Sequence, residues 1–443
     1  MSQRGEHAVV LGASMAGLVA ARVAARHYKS VAVVERDVLG DDLVDRRGVP
    51  QSRHLHGLSC AGLHALESLF PGLLAGLKAA GAPVADEGDL SRLSLWVGGR
   101  ECNRTGKFAD PAALTFCLAS RPLLELHVRQ RLCDMSNVQL LDGHDFTELL
   151  TDAPDTVTGV RVQDRRRQDL VLPTDLVIDA TGRGTRLPSF LGASGYGQPP
   201  LAHGAQKISY VSQRLRLPPG SVSDKLTFIS PGPGQSRLGA LQSYGGDSWM
   251  FTLIDLTAAN PPSDHFAMLD AATSLFPASA IAALRAAEPI SDVATQRYHG
   301  PVWHRYDKLS RFPKGLVALG DSICSFNPFH GQGMTMAALE ANILHDCLTQ
   351  GSRDLPARFF GKSAKLIDKV WRTNARTYPS AHTGQGRRMP AERLESWLFT
   401  KIAAAAARDI AVAETLLRIN QLIAPAREMM QPSVLRSILT SNP

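Results

Sequence analysis

Near its amino terminus the chain carries Gly12-Ala-Ser-Met-Ala-Gly17, and Glu35 follows at the end of the next apolar run. Those residue types at that spacing suit the binding of a dinucleotide. Gly12 permits a sharp turn, and Ser14 at the middle position is small enough to let the backbone approach a pyrophosphate, with a hydroxyl able to add a hydrogen bond to it. Gly17 allows close helix packing. Met15 and Ala16 open a helix whose free N–H groups and dipole favour an anion. Glu35 stands about twenty residues on, where a carboxylate receives the ribose hydroxyls and selects a ribose without a 2′-phosphate, and Arg36 adjoins it.

A second glycine-rich turn lies three hundred residues away, in Gly320-Asp-Ser-Ile-Cys-Ser-Phe-Asn-Pro-Phe-His-Gly-Gln-Gly-Met334. It resembles the second FAD motif of the single-component flavin hydroxylases, the class A, para-hydroxybenzoate hydroxylase-like superfamily. The resemblance implies that Asp321 binds ribityl hydroxyls and that Pro328 lines the flavin ring. It also implies that Gly331, Gln332 and Gly333 bring backbone N–H groups and a helix N-terminus to the flavin N1 and C2 carbonyl, with the main chain of Met334 as a further contact. Arg121 opens a helix where the family places an arginine against the FAD phosphates or ribose. Phe146 falls where a backbone contact to adenine is usual.

Within that superfamily, Arg46-Arg-Gly-Val-Pro-Gln-Ser-Arg-His-Leu-His56, Glu67-Ser-Leu-Phe-Pro-Gly72, Arg305-Tyr-Asp-Lys-Leu309 and Phe312-Pro-Lys-Gly-Leu316 look like the bacterial polyether epoxidases. Gly333-Met-Thr335 is similar to squalene monooxygenase, as is an arginine soon after the ribose carboxylate, a role for Arg47. The match spans roughly residues 5 to 345. It implies FAD as cofactor, O2 as co-substrate, and hydroxylation or epoxidation of a largely apolar small molecule through a flavin C4a-hydroperoxide, in specialised metabolism.

His54 and His56 sit among arginines, and imidazole titrates near neutrality, but oxygen transfer is flavin chemistry, so His54 is read as a flavin-contacting or structural group and no catalytic acid or base is assigned. One departure concerns the electron donor. Many flavin hydroxylases carry Asp-Gly within the segment matching Asp179-Ala-Thr-Gly-Arg-Gly-Thr-Arg186, where this chain has Thr181. NAD(P)H is therefore expected either directly or through a partner flavin reductase. Two other readings remain: an alkene reductase of the geranylgeranyl-reductase type, and a non-catalytic binding protein on a flavoprotein fold. Halogenation is disfavoured, because the tryptophans at 96, 249, 303, 371 and 397 never form Trp-x-Trp-x-Ile-Pro.

These motifs need strands and helices to hold them. His7–Leu11, a helix to about Arg26 and Val31–Glu35 read as one βαβ unit, and Gly315–Leu319 followed by a helix over Met334–Leu348 reads as a second strand-turn-helix. Between them a helix over Arg121–Cys133 and strands over Val138–Leu141, Thr158–Val162 and Leu176–Ile178 are expected. Alternation in Lys207–Leu217, Leu226–Ile229 and Trp249–Ile254 suggests an inserted antiparallel sheet, where Phe228, Trp249 and Phe251 are core or pocket. The fold class is α/β with an α+β insert: a Rossmann-like FAD/NAD(P)-binding domain, an antiparallel-sheet substrate domain and C-terminal helices, notably over Ala391–Leu422. The FAD domain takes residues 1–80, 116–190 and 296–350. The substrate domain takes 81–115 and 191–295, and the helical region takes 351–443.

With 443 residues, 44% of them hydrophobic, the chain can bury a large core. Its net charge of +7 is scattered without a nucleic-acid module, so an anionic cofactor accounts for it and no nucleic acid is expected. The six cysteines show neither C-x-x-C spacing nor zinc-ligand partners, so neither disulfides nor a metal is expected. No apolar run reaches the roughly 18 residues of a transmembrane helix, nor is a signal peptide visible, so a cytoplasmic protein is expected.

Overall fold

The computed structural model describes residues 4–441, apart from 87, 154, 205–206, 233–234, 258–259 and 378–389. An unbroken apolar run makes a strand that can be covered on both faces, as the centre of a parallel sheet requires. Strand Gly5–Leu11 is that centre, with Val10 opposite Val33 of strand Tyr28–Val34 on one side and Ile178 of strand Leu176–Asp179 on the other. Strands Val138–Leu141 and Leu316–Ala318 complete a five-stranded parallel sheet at its two edges. Helices Met15–Ala24 and Gly333–Thr349 pack against each other and bury Leu18, Val19, Ala338 and Leu344 in the shared core. The first helix can approach because residue 17 is glycine: a Cβ there would lie 1.7 Å from the Gly12 carbonyl oxygen.

Among the described residues the inserted sheet has eight strands, and the expected segments form Ile208–Arg216, Leu226–Ile229 and Ser248–Asp255. Two features differ from expectation. Strand Arg237–Gly245 went unread because Gly239 and Ala240 break its apolar alternation, yet Gly239 is needed, since a Cβ there would meet the Phe276 ring at 2.3 Å. Strand Leu93–Val97 pairs with Leu226–Ile229 in parallel, so the sheet is not purely antiparallel.

Register then divides the aromatic residues between two faces. Trp249 and Phe251 lie in a core with Val211, Leu215 and Phe276, covered by helices His265–Thr273 and Ala278–Arg285. Tyr210, Ile254, Leu238 and Tyr298 cluster on the opposite face, where Phe228 stacks with Phe329 at 6.1 Å between ring centroids. A separate three-stranded antiparallel meander runs through His144–Ala153, Thr156–Asp164 and Asp169–Pro173.

The C-terminal region forms helices Leu355–Thr377, Pro390–Ala406, Ile410–Asn420 and Pro432–Thr440. The helical tail expected notably over Ala391–Leu422 falls into two of these helices, the second beginning where Asp409 accepts a hydrogen bond from the Ala411 N–H and so caps it. Among the described residues no single helix is long and apolar enough to cross a membrane; one bent pair, Cys60–Leu69 with Leu73–Ala79, reaches that apolarity, and it buries Leu63, Leu66, Leu69, Leu73 and Leu77 in the core.

Candidate FAD and substrate site

The carboxyl ends of the parallel strands open onto a cleft of about 530 Å3, with Leu11, Val34, Asp179 and Gly320 in its wall. Open α/β sheets bind ligands at this edge. Gly12, Ser14, Met15 and Ala16 line one part of the cleft together with Glu35, Arg36, Arg121 and Phe146. Asp321, Pro328, Gly331, Gln332, Gly333 and Met334 line the other, along with His54. Motifs three hundred residues apart in sequence thus share one cavity.

At the first turn Gly12 has φ +98°, and a Cβ would come within 2.7 Å of the Ala180 carbonyl oxygen, so both conformation and space demand glycine. Glu35 is buried. Its Oε2 accepts a hydrogen bond from the Ala13 N–H at 2.7 Å, its Oε1 accepts from the Asp37 N–H at 3.0 Å, and Arg46 Nη1 lies 3.2 Å from Oε2. Behind the turn sits Glu125, one helical turn after Arg121 on helix Arg121–Cys133, which Ser120 caps. Glu125 accepts from Ser14 Oγ at 2.7 Å, Arg121 Nε at 2.6 Å and Arg46 Nη2 at 2.9 Å. Burial alone would raise its pKa, but Arg121, Arg46 and the Ser14 hydroxyl outweigh that and bring it to about 2.

Two expectations change here. The Ser14 hydroxyl donates to Glu125 and accepts from Arg121 Nη2, so its proton is not free for a phosphate. Arg47 does not line the cleft. Arg46 turns inward instead, drawn by Glu35 and Glu125, and also donates to the Ala13 carbonyl. Gly17 stays beneath the turn as a packing residue outside the lining.

The second turn is held without an ion pair among the described residues. Gly320 has φ +69°, and a Cβ there would come within 2.8 Å of the Ala16 Cβ, so glycine lets the two motifs approach. Its N–H donates to Glu340 Oε2 at 2.7 Å, and burial pushes the Glu340 carboxyl up to about 8. Burial also raises the Asp321 carboxyl, while Arg183 and Arg121 pull it back. Gln332 Oε1 accepts from Asn374 Nδ2 at 2.8 Å, so helix Leu355–Thr377 braces the glycine turn. Thr335 shares a 2.8 Å hydrogen bond with Ser59.

Both turns suit FAD by one shared feature. Helices Met15–Ala24 and Gly333–Thr349 begin at the cleft without a side-chain cap and without an acid in the first turn. The neighbouring helix Cys60–Leu69 is capped by Ser59. The uncapped N–H groups are left for an anionic or electron-rich group of a ligand.

The remaining wall is polar and aromatic. His54 Nδ1 is 3.0 Å from Ser212 Oγ, which is 2.8 Å from Thr252 Oγ1, and burial lowers the His54 pKa to about 4. Burial takes His56 to about 3, and its Nδ1–H donates to the His54 carbonyl. Both rings are neutral at pH 7. Tyr298 Oη donates to the Phe326 carbonyl at 2.7 Å, and the Arg183 guanidinium lies 4.7 Å over its ring. Tyr210, Gln296 and Asn327 complete this side. Thr181 does not leave its segment without a carboxylate: Asp179 lines the cleft and accepts from the Thr181 N–H at 2.9 Å, Thr181 Oγ1 at 2.6 Å and Ser322 Oγ at 3.2 Å. Sequence reading missed Glu125, Arg46, Asn374 and the Ser212–Thr252 pair; only Glu125 had a local signal, its helical i, i+4 spacing from Arg121.

Residues 8–193 match the family model described as FAD dependent oxidoreductase. Over 424 residues the chain is 38% identical to Protein Rv3254 of Mycobacterium tuberculosis strain H37Rv, covering 93% of this chain and 89% of that protein. The chain belongs to the FAD-dependent oxidoreductases. This oxidoreductase is also 25% identical over 369 residues to kynurenine 3-monooxygenase of Salinispora tropica, covering 79% and 74% of the two chains. Its fold is that of PqsL, a probable FAD-dependent monooxygenase from Pseudomonas aeruginosa, at a TM-score of 0.60 and 18% identity over 93% of this chain and 99% of that one. Flavin-dependent halogenases share the fold as well.

Proposed function

We propose that this oxidoreductase is a monooxygenase that hydroxylates or epoxidises a largely apolar small molecule in specialised metabolism, with O2 as co-substrate and electrons from NAD(P)H, taken directly or through a flavin reductase. The observation that carries the reading is the continuity of the cleft: past the second glycine turn it runs into the face of the inserted sheet, where Tyr210 and Tyr298 supply aromatic walls. The likeness to kynurenine 3-monooxygenase supports it.

FAD, when bound, supplies the electron storage and oxygen activation. The chain's own residues bind, orient and shield. Arg121 and the Met15 and Ala16 N–H groups, which line the cleft, would receive the pyrophosphate, Glu35 the ribose and Asp321 the ribityl chain. The N-terminus of helix Gly333–Thr349 would offer a positive dipole end to a reduced ring. Pro328, Tyr298 and Tyr210 keep water from the reacting edge, and His54 and His56, held neutral, hydrogen-bond without adding charge.

The test is anaerobic reduction of the FAD-loaded protein by NADH and by NADPH, then exposure to 18O2 with candidate substrates. Consumption of O2 and one labelled oxygen atom in the product are expected. Anaerobic reduction of a substrate double bond would instead favour an alkene reductase, and protein that takes up no flavin would favour a binding role.

A further inference from the structure

We propose that Glu125 is a positioning residue for FAD, whose buried carboxylate holds Ser14, Arg121 and Arg46 in the arrangement that receives the pyrophosphate and the adenosine ribose. The proposal rests on the FAD reading above. Its donors come from three separate parts of the chain: the first glycine turn, the start of helix Arg121–Cys133 and the loop after strand Tyr28–Val34. Arg121 turns Nε toward Glu125 and Nη2 toward Ser14, while its Nη1 has no hydrogen bond among the described residues and the side chain lines the cleft. Arg46 spans Glu125 through Nη2 and Glu35 through Nη1. One carboxylate therefore sets the orientation of both cations and, through Arg46, of the ribose-binding acid.

This arrangement gives the serine at position 14 a reason. Glycine there would deprive Glu125 Oε1 of a donor and Arg121 Nη2 of an acceptor. An exposed i, i+4 ion pair is worth little. Arg121 and Glu125 are each only 7% exposed, so neither charge can turn to water when its partner is lost. Without Glu125, the guanidinium of Arg46 would take up the Glu35 oxygens that the ribose needs. The rival view is that Glu125 merely competes with phosphate for both arginines, in which case its neutralisation would tighten FAD.

The two views part in one experiment: titration of apo-protein with FAD, free flavin measured after ultrafiltration, for wild type, Glu125→Gln, Arg121→Ala and the double variant, with thermal melts of each apo-protein. Glu125→Gln is expected to weaken FAD about ten- to a hundred-fold, the range typical of groups that orient a ligand's direct contacts. In the Arg121→Ala background the same change is expected to cost a clearly smaller factor, because residues acting through one another are not additive. A dissociation constant unchanged or lowered by Glu125→Gln overturns the proposal, and so does an equal factor in both backgrounds, which would mean a general structural role. If Glu125→Gln does not fold, Ser14→Ala removes only the hydroxyl and is expected to weaken FAD by about three- to ten-fold, in line with one lost hydrogen bond; no change there overturns it. Wild-type apo-protein that takes up no FAD would sink the FAD reading itself.

Discussion

The two glycine turns are built on the same plan, a parallel strand running into a turn and an uncapped helix, yet the chain holds them by opposite means. Charged side chains surround the first: Glu35, Glu125, Arg46 and Arg121 form a buried network behind Gly12–Met15. Hydrogen bonds without an ion pair among the described residues hold the second, through Glu340 to Gly320, Asn374 to Gln332 and Ser59 to Thr335. The difference would suit the ligand proposed for each turn. A pyrophosphate keeps its charge throughout, so fixed cations suit it, whereas a flavin ring gains charge only on reduction and is better met by dipoles.

The contrast can be broken most severely at Gly12. Alanine there would have to adopt φ +98° and share space with the Ala180 carbonyl, so Gly12→Ala is expected to cost on the order of 3 kcal/mol or more and to abolish flavin retention, as read by urea unfolding and flavin content. Glu340→Gln probes the neutral side. The folded pKa of about 8 lies above the ordinary 4.5, so the contribution of Glu340 is fully present below pH 4.5 and is lost as pH rises through 8. Thermal melts are expected to show the two proteins alike near pH 4.5 and the variant ahead by on the order of 4 kcal/mol at pH 8. A gap opening toward acid pH would contradict a protonated Glu340.

Smaller changes sharpen the comparison. Asn374→Ala leaves the buried Gln332 carbonyl without its donor and is expected to cost about 1–2 kcal/mol, shifting the visible flavin spectrum while flavin content holds. Gly331→Ala should be milder than Gly12→Ala, about 1 kcal/mol, because φ +62° is strained but the nearest atoms, those of Gly57, stand 3.7 Å from a new Cβ. Equal losses at Gly12 and Gly331 would mean that space at the first turn is not what demands glycine.

Legibility in the sequence followed the same division. Strand, turn and helix at each motif are local, set by apolar runs and glycines, so Val138–Leu141 and Arg121–Cys133 could be read to the residue. What holds the motifs is not local. Glu125 meets Ser14, and Asn374 meets Gln332, only after the chain has folded back over a hundred residues or from a C-terminal helix with no motif of its own. Arg46 and Arg47 are neighbours of equal charge, and which one turns inward to Glu35 and Glu125 depends on backbone direction in a loop without periodicity. In the inserted sheet, residue type could not separate Phe228 from Phe251, because a face is assigned by register and register by pairing between distant strands.

A crystal structure of the FAD complex tests most directly whether both turns serve one cofactor. The pyrophosphate is expected beside the N–H groups of Met15 and Ala16 and the Arg121 guanidinium, the adenosine ribose on Glu35, and the ring against Pro328 and the Gly331–Met334 turn. FAD bound in the reverse direction, or flavin lying outside the cleft, would contradict it.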